Sequence, residues 1–454
     1  MPGTSTTGAE LRTARDEGIA GPLRVALTTL GCKVNYAEMA ELAGQLAGLG
    51  CEVVPEDEPA DVRVLNSCGV TLQADATTRQ RLHRLRRRDP GCHLVLTGCS
   101  VDANPDRYLA AGSDGRPAVP GLDAVFANTE KLRIADHVAA LAAGRGNPLR
   151  HLPPAGLRSR AFLKVQDGCD HRCTYCVVWR TRGASASVPE EVVMARARAA
   201  VAAGHAEVVL TGVDLGSYGR DRGSDLTALV RRLLEDLDGT VRIRLSSINA
   251  NDIPEDLIEL NGDPRLCGHW HLPLQSGSDQ VLRAMHRGYR RQRYLRVVED
   301  LRRRDPDTEL TTDVMVGFPG ESQEDHEATL RLIDEVEFLG CHVFRYSPRP
   351  DTEAVGLPQQ ADDALLRSRS AEVRRAGAAS ARRRRQRAVG RQHRVVWDRV
   401  APGEAHGLTD GYHEVVADPT TGTRTGRMQT IMATRVEGDL LRGTILPEPG
   451  GDER

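Results

Sequence analysis

A chain of 454 residues, at about 150 residues per domain, predicts about three domains and excludes a small stapled scaffold. Charged residues at 27% and the AVILMFWYC set at 40% suit a soluble globular chain and leave little room for disorder beyond the ends. The net charge of -2 conceals an asymmetry: Lys33, Lys131 and Lys164 are the only lysines among 61 basic residues, and the arginines bunch into clusters that keep nucleic acid among the candidate partners.

Residues 1–22 are small and charged with no apolar central region, which argues against a secretory signal or membrane anchor and reads as a flexible tail. No later run reaches the ~18 apolar residues of a spanning helix. The expected location is the cytoplasm, where cysteines serve as metal ligands, catalytic thiols or buried small hydrophobes rather than disulfides. From Arg24, short apolar runs (VALTTL, EVV, VRVLNS, HLVLTG) alternate with helical stretches such as YAEMAELAGQLAGLG and 74–88, which predicts a parallel α/β domain over 23–146. Cys32, Cys68 and Cys99 each follow a strand. Parallel strands put their carboxyl ends on one edge, so these thiols are expected to meet in one site; the plainer alternative is three buried cysteines at strand ends. Cys51, Cys92 and Cys341 open strands at the opposite edge and are assigned to packing.

A Pro-containing break at 147–160 precedes AFLKV, and EVVLTG, VRIRLSS, HWHLPL, ELTTDVMVG and HVFRYS complete six strands with helices between them, for example at 225–237 and 291–303. This predicts a barrel or partial barrel over 155–388, ending in an Arg- and Ala-rich helix at 365–387. Beyond it, RVVWDRV, HGLTDGYHEVVAD, GRMQTIMATRVEG and DLLRGTIL are short strands split by Gly, Pro and Asp, a small β-barrel over 390–447.

The strongest chemical signal is AFLKVQDGCDHRCTYCVV, in which Cys169, Cys173 and Cys176 follow a strand with the spacing C-x3-C-x2-C. Three thiolates holding a four-iron cluster leave one iron open to a substrate, whereas a closed zinc site wants a fourth ligand. His171 is the zinc alternative, and a redox disulfide is a third reading that leaves one Cys unused.

This triplet, with Tyr175 before its last Cys, resembles that of the radical S-adenosylmethionine enzymes. With TLGCKVN, LNSCGVT and LTGCS upstream, HLPLQSGSD and TTDVMVGFPGE within, and a small barrel at the end, the chain from Arg24 to about Leu446 resembles the methylthiotransferases. The resemblance implies a (β/α)6 partial barrel for the central domain and two 4Fe-4S clusters. One, on Cys169, Cys173 and Cys176, binds S-adenosylmethionine and cleaves it to a 5'-deoxyadenosyl radical; the other, on Cys32, Cys68 and Cys99, carries the sulfur or methylthio group. It further implies a cofactor pocket with Tyr175, Thr211, Gly212 and Asp214 beside the methionine end, Ser246 and Ser247 near the ribose, and Val316 and Gly317 near the adenine; simple strand-to-helix turns explain the same residues. Gln275–Ser278 is expected to face the barrel mouth. The chain departs from the family at Trp179, Ala186, Val188 and Asn249, which bears on substrate contacts and leaves the cluster ligands intact.

Arginines concentrate at 79–88, 283–304 and 367–394, the last with eleven arginines against one acidic residue, Glu372. A solvated helix face explains the first two equally well. The third lies directly before the small barrel, so Arg382, Arg383, Arg384 and Arg385 are expected to contact a phosphate backbone. That barrel resembles the TRAM module, which implies tRNA binding, with Tyr412 at a module position. TLGCKVN, LTGVDLGSYGRD and FRYSPRPDTEA are most similar to the MtaB-like group, which acts on threonylcarbamoyladenosine at position 37 of tRNA; Lys33 fits that group, where the isopentenyladenosine group tends to carry Gln. The remaining methylthiotransferase substrate is an aspartate of a ribosomal protein. Implied partners are the tRNA anticodon stem-loop and an electron donor of flavodoxin or ferredoxin type, with no membrane and a monomeric state. A reading from another class, a non-catalytic RNA-binding iron-sulfur protein, is opposed by two intact triplets.

Overall fold

Five parallel strands, β1 (Arg24–Thr29), β2 (Glu52–Val54), β3 (Val62–Ser67), β4 (His93–Gly98) and β5 (Ala124–Phe126), form the first sheet in the order β2-β1-β3-β4-β5. The computed structural model describes residues 21–110, 117, 119–144 and 159–447. Most of the expected tail at 1–22 and of the break at 147–160 lies outside them. β5 has only three residues and escaped the sequence pattern.

The helix Leu72–Arg88 follows ordinary capping chemistry: the Thr71 side chain accepts a hydrogen bond from the Ala74 N–H at 3.1 Å, Asp75 sits in the first turn, and Arg86, Arg87 and Arg88 sit in the last. The helix Lys33–Gly48 departs from it. Its N-cap is Cys32, whose side chain makes no cap bond, so the thiol stays free for another partner.

The central domain contains the six expected strands as two three-stranded parallel sheets. The first has the order β10-β9-β6, from β6 (Ala161–Lys164), β9 (Glu207–Thr211) and β10 (Arg242–Leu245); a two-residue hairpin, β7 (Gln166–Asp167) with β8 (Ala186–Ser187), flanks the triplet loop. The second is β11 (His269–His271), β12 (Glu309–Val316) and β13 (Gly340–Arg345), joined to the first by isolated bridges including Ser247 to His271. This is an open (β/α)6 barrel. Outward positions Val208, Leu210, Ile243, Leu245, Trp270, Leu310 and Val314 pack on the helices in the largest apolar core. The alternate, inward positions are polar: Glu207, Arg242, Arg244, His269, His271, Thr311 and Asp313.

A 26-residue helix, Asp363–Ala388, leads to a closed five-stranded barrel in the order β14-β15-β16-β18-β17: β14 (Gln392–Ala401), β15 (Glu404–Thr409), β16 (Glu414–Ala417), β17 (Met428–Glu437) and β18 (Leu440–Ile445). Its core centres on Trp397, whose Nε1 donates to Gln429 Oε1 at 2.8 Å. This small barrel closes the amino ends of the central strands. Arg242 donates to the carbonyls of Arg394 and Leu408, and Arg244 to those of Thr409 and Asp410. Both arginines share the fully buried Glu207. Burial opposes its charge, but Arg244 and Arg242 outweigh that and hold its carboxyl well below the usual range.

Glu207→Gln leaves two buried guanidiniums without their anion, and we expect it to lower unfolding stability by about 3–5 kcal/mol in denaturant titrations at pH 7.

Candidate active site

The three upstream cysteines stand together at the carboxyl edge of adjacent strands β1, β3 and β4. Gly31, with φ +95°, brings the Cys32 loop so close to Cys68 that a Cβ at Gly31 would lie 2.9 Å from the Cys68 sulfur. Cys99 is buried, Cys68 half-buried and Cys32 exposed; burial, and then charge on Cys99, opposes ionisation of Cys32 and Cys68. The other triplet follows β7 on a loop that depends on Gly168 (φ +72°), where a Cβ would lie 1.9 Å from the Ala184 carbonyl oxygen. The two triplets face each other: the short helices Cys99–Ala103 and Val178–Thr181 pack together, Asn128 Nδ2 donates to both Cys99 Sγ (3.7 Å) and the Thr181 carbonyl (2.9 Å), and a Cys99 thiolate raises the pKa of Cys176. All ten cysteines are free. Cys51 and Cys92 lie in apolar cores and Cys341 packs against one.

The surroundings fit iron-sulfur clusters, because donors reach sulfurs of both triplets. The Val178 backbone N–H serves Cys176 at 3.4 Å. Guanidiniums serve two more, Arg182 Nε at 3.3 Å from Cys99 Sγ and Arg287 Nη1 at 3.6 Å from Cys173 Sγ. Donors aimed at sulfur stabilise thiolates and tune a bound cluster. Without metal, burial pushes the thiols up, to about 11 for Cys68 and Cys176 and about 12 for Cys169, so ligation must displace protons. His171 does not complete either set; its Nε2 lies 2.8 Å from Asp252 and 3.4 Å from Asp214.

The expected cofactor residues gather at the carboxyl ends of the central strands. Thr211 and Ser246 present buried hydroxyls with no partner among the described residues, the state expected of groups that bind a polar ligand. A Cβ at Gly212 would lie 2.8 Å from Gln166 Oε1, which accepts from the Asp214 N–H at the same distance. Ser247 is half-buried beside them. Tyr175 meets Phe318 edge-on, 6.5 Å between centroids, which brings it to the Val316–Gly317 turn; there the Gly317 N–H is already bound by Glu321. Gln275 has φ +64° and its backbone bridges to β12. Of the departures from the family pattern, Asn249 is knit into the site, accepting from Arg287 and facing His171, while Trp179 is sandwiched by Arg172 and Arg180.

Sequence reasoning missed the group that joins the two triplets. Glu38 bonds Lys131, Lys164 (3.1 Å) and Arg182 (2.9 Å), and Arg182 also reaches Asn35, Asp167 and Cys99. The rarity of lysine was the available signal: two of the chain's three lysines pair with this carboxylate. Burial opposes its ionisation, but Lys131, Arg182 and Lys164 prevail and hold it well below the usual carboxylate range.

The arginine run at 382–385 does not face solvent as a block. Arg384 is buried against Glu309 (2.9 Å), Arg383 pairs with Asp334 and Glu337, Arg385 pairs with Asp439, and Arg382 alone is exposed. Tyr412 is half-buried at the amino end of β11, its ring stacked on His269 at 4.1 Å.

The Radical SAM superfamily matches residues 163–333, and Uncharacterized protein family UPF0004 matches residues 24–115. The chain is 35% identical to threonylcarbamoyladenosine tRNA methylthiotransferase MtaB of Thermotoga maritima, over 90% of this chain and 93% of that protein. It is 34% identical to the protein of the same name from Chlamydia pneumoniae (92% and 97% covered) and 35% identical to a tRNA-2-methylthio-N(6)-dimethylallyladenosine synthase of Cereibacter sphaeroides (92% and 97%). In fold it is similar to the radical S-adenosylmethionine methyltransferase TsrM of Kitasatospora setae, solved with cobalamin and a [4Fe-4S] cluster bound: TM-score 0.50, 14% identity, 74% of this chain and 77% of that one.

Because Glu38 has a lower pKa folded than unfolded, its stabilisation is complete above about pH 4.3 and drains away as pH falls below that. Glu38→Gln should cost about 3 kcal/mol at pH 7 and flatten the stability loss between pH 5 and pH 3, measured by denaturant titration at each pH.

Proposed function

Because the chain belongs to the radical S-adenosylmethionine methylthiotransferase family, we infer that it converts N6-threonylcarbamoyladenosine at position 37 of tRNA to its 2-methylthio derivative. The observation that carries this reading is the opposition of two cysteine triplets across the packed helices Cys99–Ala103 and Val178–Thr181, each with donors to its sulfurs and, among the described residues, neither joined by His171 as a fourth ligand. In this reading Cys169, Cys173 and Cys176 hold one 4Fe-4S cluster, and Cys32, Cys68 and Cys99 hold a second. When bound, the clusters and S-adenosylmethionine supply one-electron chemistry able to replace a hydrogen at the adenine C2, a carbon neither acidic nor electrophilic.

The protein's own groups position and insulate. Thr211 and Ser246 offer their unpartnered hydroxyls to the cofactor, Tyr175 and the Val316–Gly317 turn bound its far end, and Asp252, with Asp214 beside it, holds the His171 ring. Arg182 and Arg287 offset negative charge at the two sulfur sets. The target base must leave its stack to enter, which costs a few kcal/mol and least in a single-stranded loop, so the anticodon loop suits the site. We assign the RNA grip to exposed arginines of the Asp363–Ala388 helix, Arg367, Arg374 and Arg382, which make no ion pair among the described residues, together with the small barrel. A flavodoxin- or ferredoxin-type electron donor, a monomeric state and a cytoplasmic location complete the proposal; no helix among the described residues is long and apolar enough to cross a membrane.

Nucleoside mass spectrometry of tRNA treated with reconstituted protein tests the activity: 2-methylthio-threonylcarbamoyladenosine is expected, and product formed on isopentenyladenosine tRNA alone would overturn the substrate. Iron should approach about eight per chain. Changing Cys169, Cys173 and Cys176 to Ala should halve the iron and abolish 5'-deoxyadenosine formation, whereas changing Cys32, Cys68 and Cys99 should halve the iron and spare it. For the RNA grip, Arg382→Gln should flatten the slope of log affinity against log salt by about 0.7–0.9, one phosphate's worth, while Arg384→Gln leaves the slope unchanged.

A further inference from the structure

Of the cations gathered near Tyr412 inside the central barrel, Lys33 stands apart from Arg242, Arg244 and Arg384, each of which meets a carboxylate. The pairing is uneven. Glu207 is shared by Arg242 and Arg244, Glu309 is taken by Arg384 and His413, and Asp313 by His271 and His342. Lys33 has no such partner: among the described residues it makes no ion pair, and its ammonium lies 5.4 Å from the centroid of the Tyr412 ring, with Arg244 at 5.3 Å from the same ring.

Its placement joins that ammonium to the chemistry. Lys33 follows Cys32 directly and opens the Lys33–Gly48 helix, so its backbone belongs to the sulfur-bearing edge while its side chain enters the barrel toward Tyr412 and His269. Composition adds an independent point. In a chain whose other basic residues are arginines, Lys131 and Lys164 are both accounted for by Glu38, which leaves Lys33 as the lysine without an ion pair among the described residues. A lysine is a compact point charge that a single carboxylate oxygen can meet, where the planar arginine fork demands more room.

We propose that Lys33, flanked by Tyr412 and Arg244, forms the subsite that receives an anionic oxygen of the substrate, the carboxylate of the threonylcarbamoyl group. The inference rests on the substrate reading above and deepens it. A base carrying an apolar isopentenyl group would leave the ammonium desolvated and unpaired, which costs free energy, whereas a carboxylate supplies the missing counter-charge. Discrimination between these substrates then follows from the charge of the N6 substituent. An RNA phosphate offers the same oxygen chemistry from a different source.

Reconstituted enzyme and its Lys33→Met and Lys33→Arg variants are assayed on an anticodon stem-loop bearing threonylcarbamoyladenosine and on the same RNA with that carboxylate converted to a carboxamide. For the unmodified enzyme, kcat/KM should fall about 30-fold from acid to amide, the scale of one charge-assisted hydrogen bond. Lys33→Met should lose a similar factor on the acid and no more than about twofold further on the amide, and Lys33→Arg should recover part of the loss. The arm that uses only the unmodified enzyme needs no variant to fold: equal turnover of acid and amide there overturns the proposal. So does an equal loss on both RNAs in Lys33→Met, which would assign the ammonium to a phosphate. Failure of the substrate reading itself is distinguishable, because the unmodified enzyme would then turn over neither RNA while accepting the isopentenyladenosine stem-loop.

Discussion

Glu38 lies where three segments meet, and each brings it a cation: Lys131 from the first domain, Lys164 from β6 and Arg182 from the loop behind the second cysteine triplet. Burying that many charges is costly, and the arrangement holds only because each finds its counterpart with good geometry. Arg182 is the member that matters most for the chemistry. It touches Glu38, Asn35 and Asp167 and places its Nε 3.3 Å from the Cys99 sulfur, so one side chain ties the helix Lys33–Gly48, the hairpin loop and the upstream triplet into a fixed relation. A reaction between groups held at two sites requires such a relation, since a displacement of about 1 Å between reacting groups costs orders of magnitude in rate.

The polar interior of the central barrel follows from the same logic at its other end. A closed barrel of this size fills itself with side chains; here the open barrel has polar inward positions, and their charges must be satisfied. At the amino ends Arg242 and Arg244 do this by gripping Glu207 and four carbonyl oxygens of the small barrel. The small barrel is thereby part of the enzyme's floor as well as an RNA-binding candidate. Tyr412 illustrates the double role, with its ring stacked on His269 and facing Lys33.

The elements were largely legible because their signals are local. Six central strands and the long arginine-rich helix announce themselves by alternation and by composition, and the helix observed at Asp363–Ala388 differs from the expected 365–387 by one or two residues. Two features escaped. β5, at three residues, is too short to carry a period. The arginine run at 382–385 reads as one charged patch, but a helix turns about 100° per residue, so four consecutive arginines point in four directions: one to solvent, one into the Glu309 pocket and two to flanking acids. Charge density along a sequence says nothing about which face the fold has already claimed.

The sequence by itself determined the chemistry-bearing atoms. Cysteines one step past parallel strands, and a C-x3-C-x2-C loop after another strand, specify two sets of three thiols because strand direction alone decides which edge a following residue occupies. Tertiary structure decided what surrounds them. The guanidiniums at Cys99 and Cys173 come from residues 83 and 114 positions away, Glu38 collects its cations from residues 93, 126 and 144 positions away, and the lack of an ion pair at Lys33 among the described residues, with only the Tyr412 ring beside its ammonium, is a property of every neighbour at once. Such relations depend on distances in space between residues far apart in the chain, and electrostatic pairing is settled only when all competing partners have been placed.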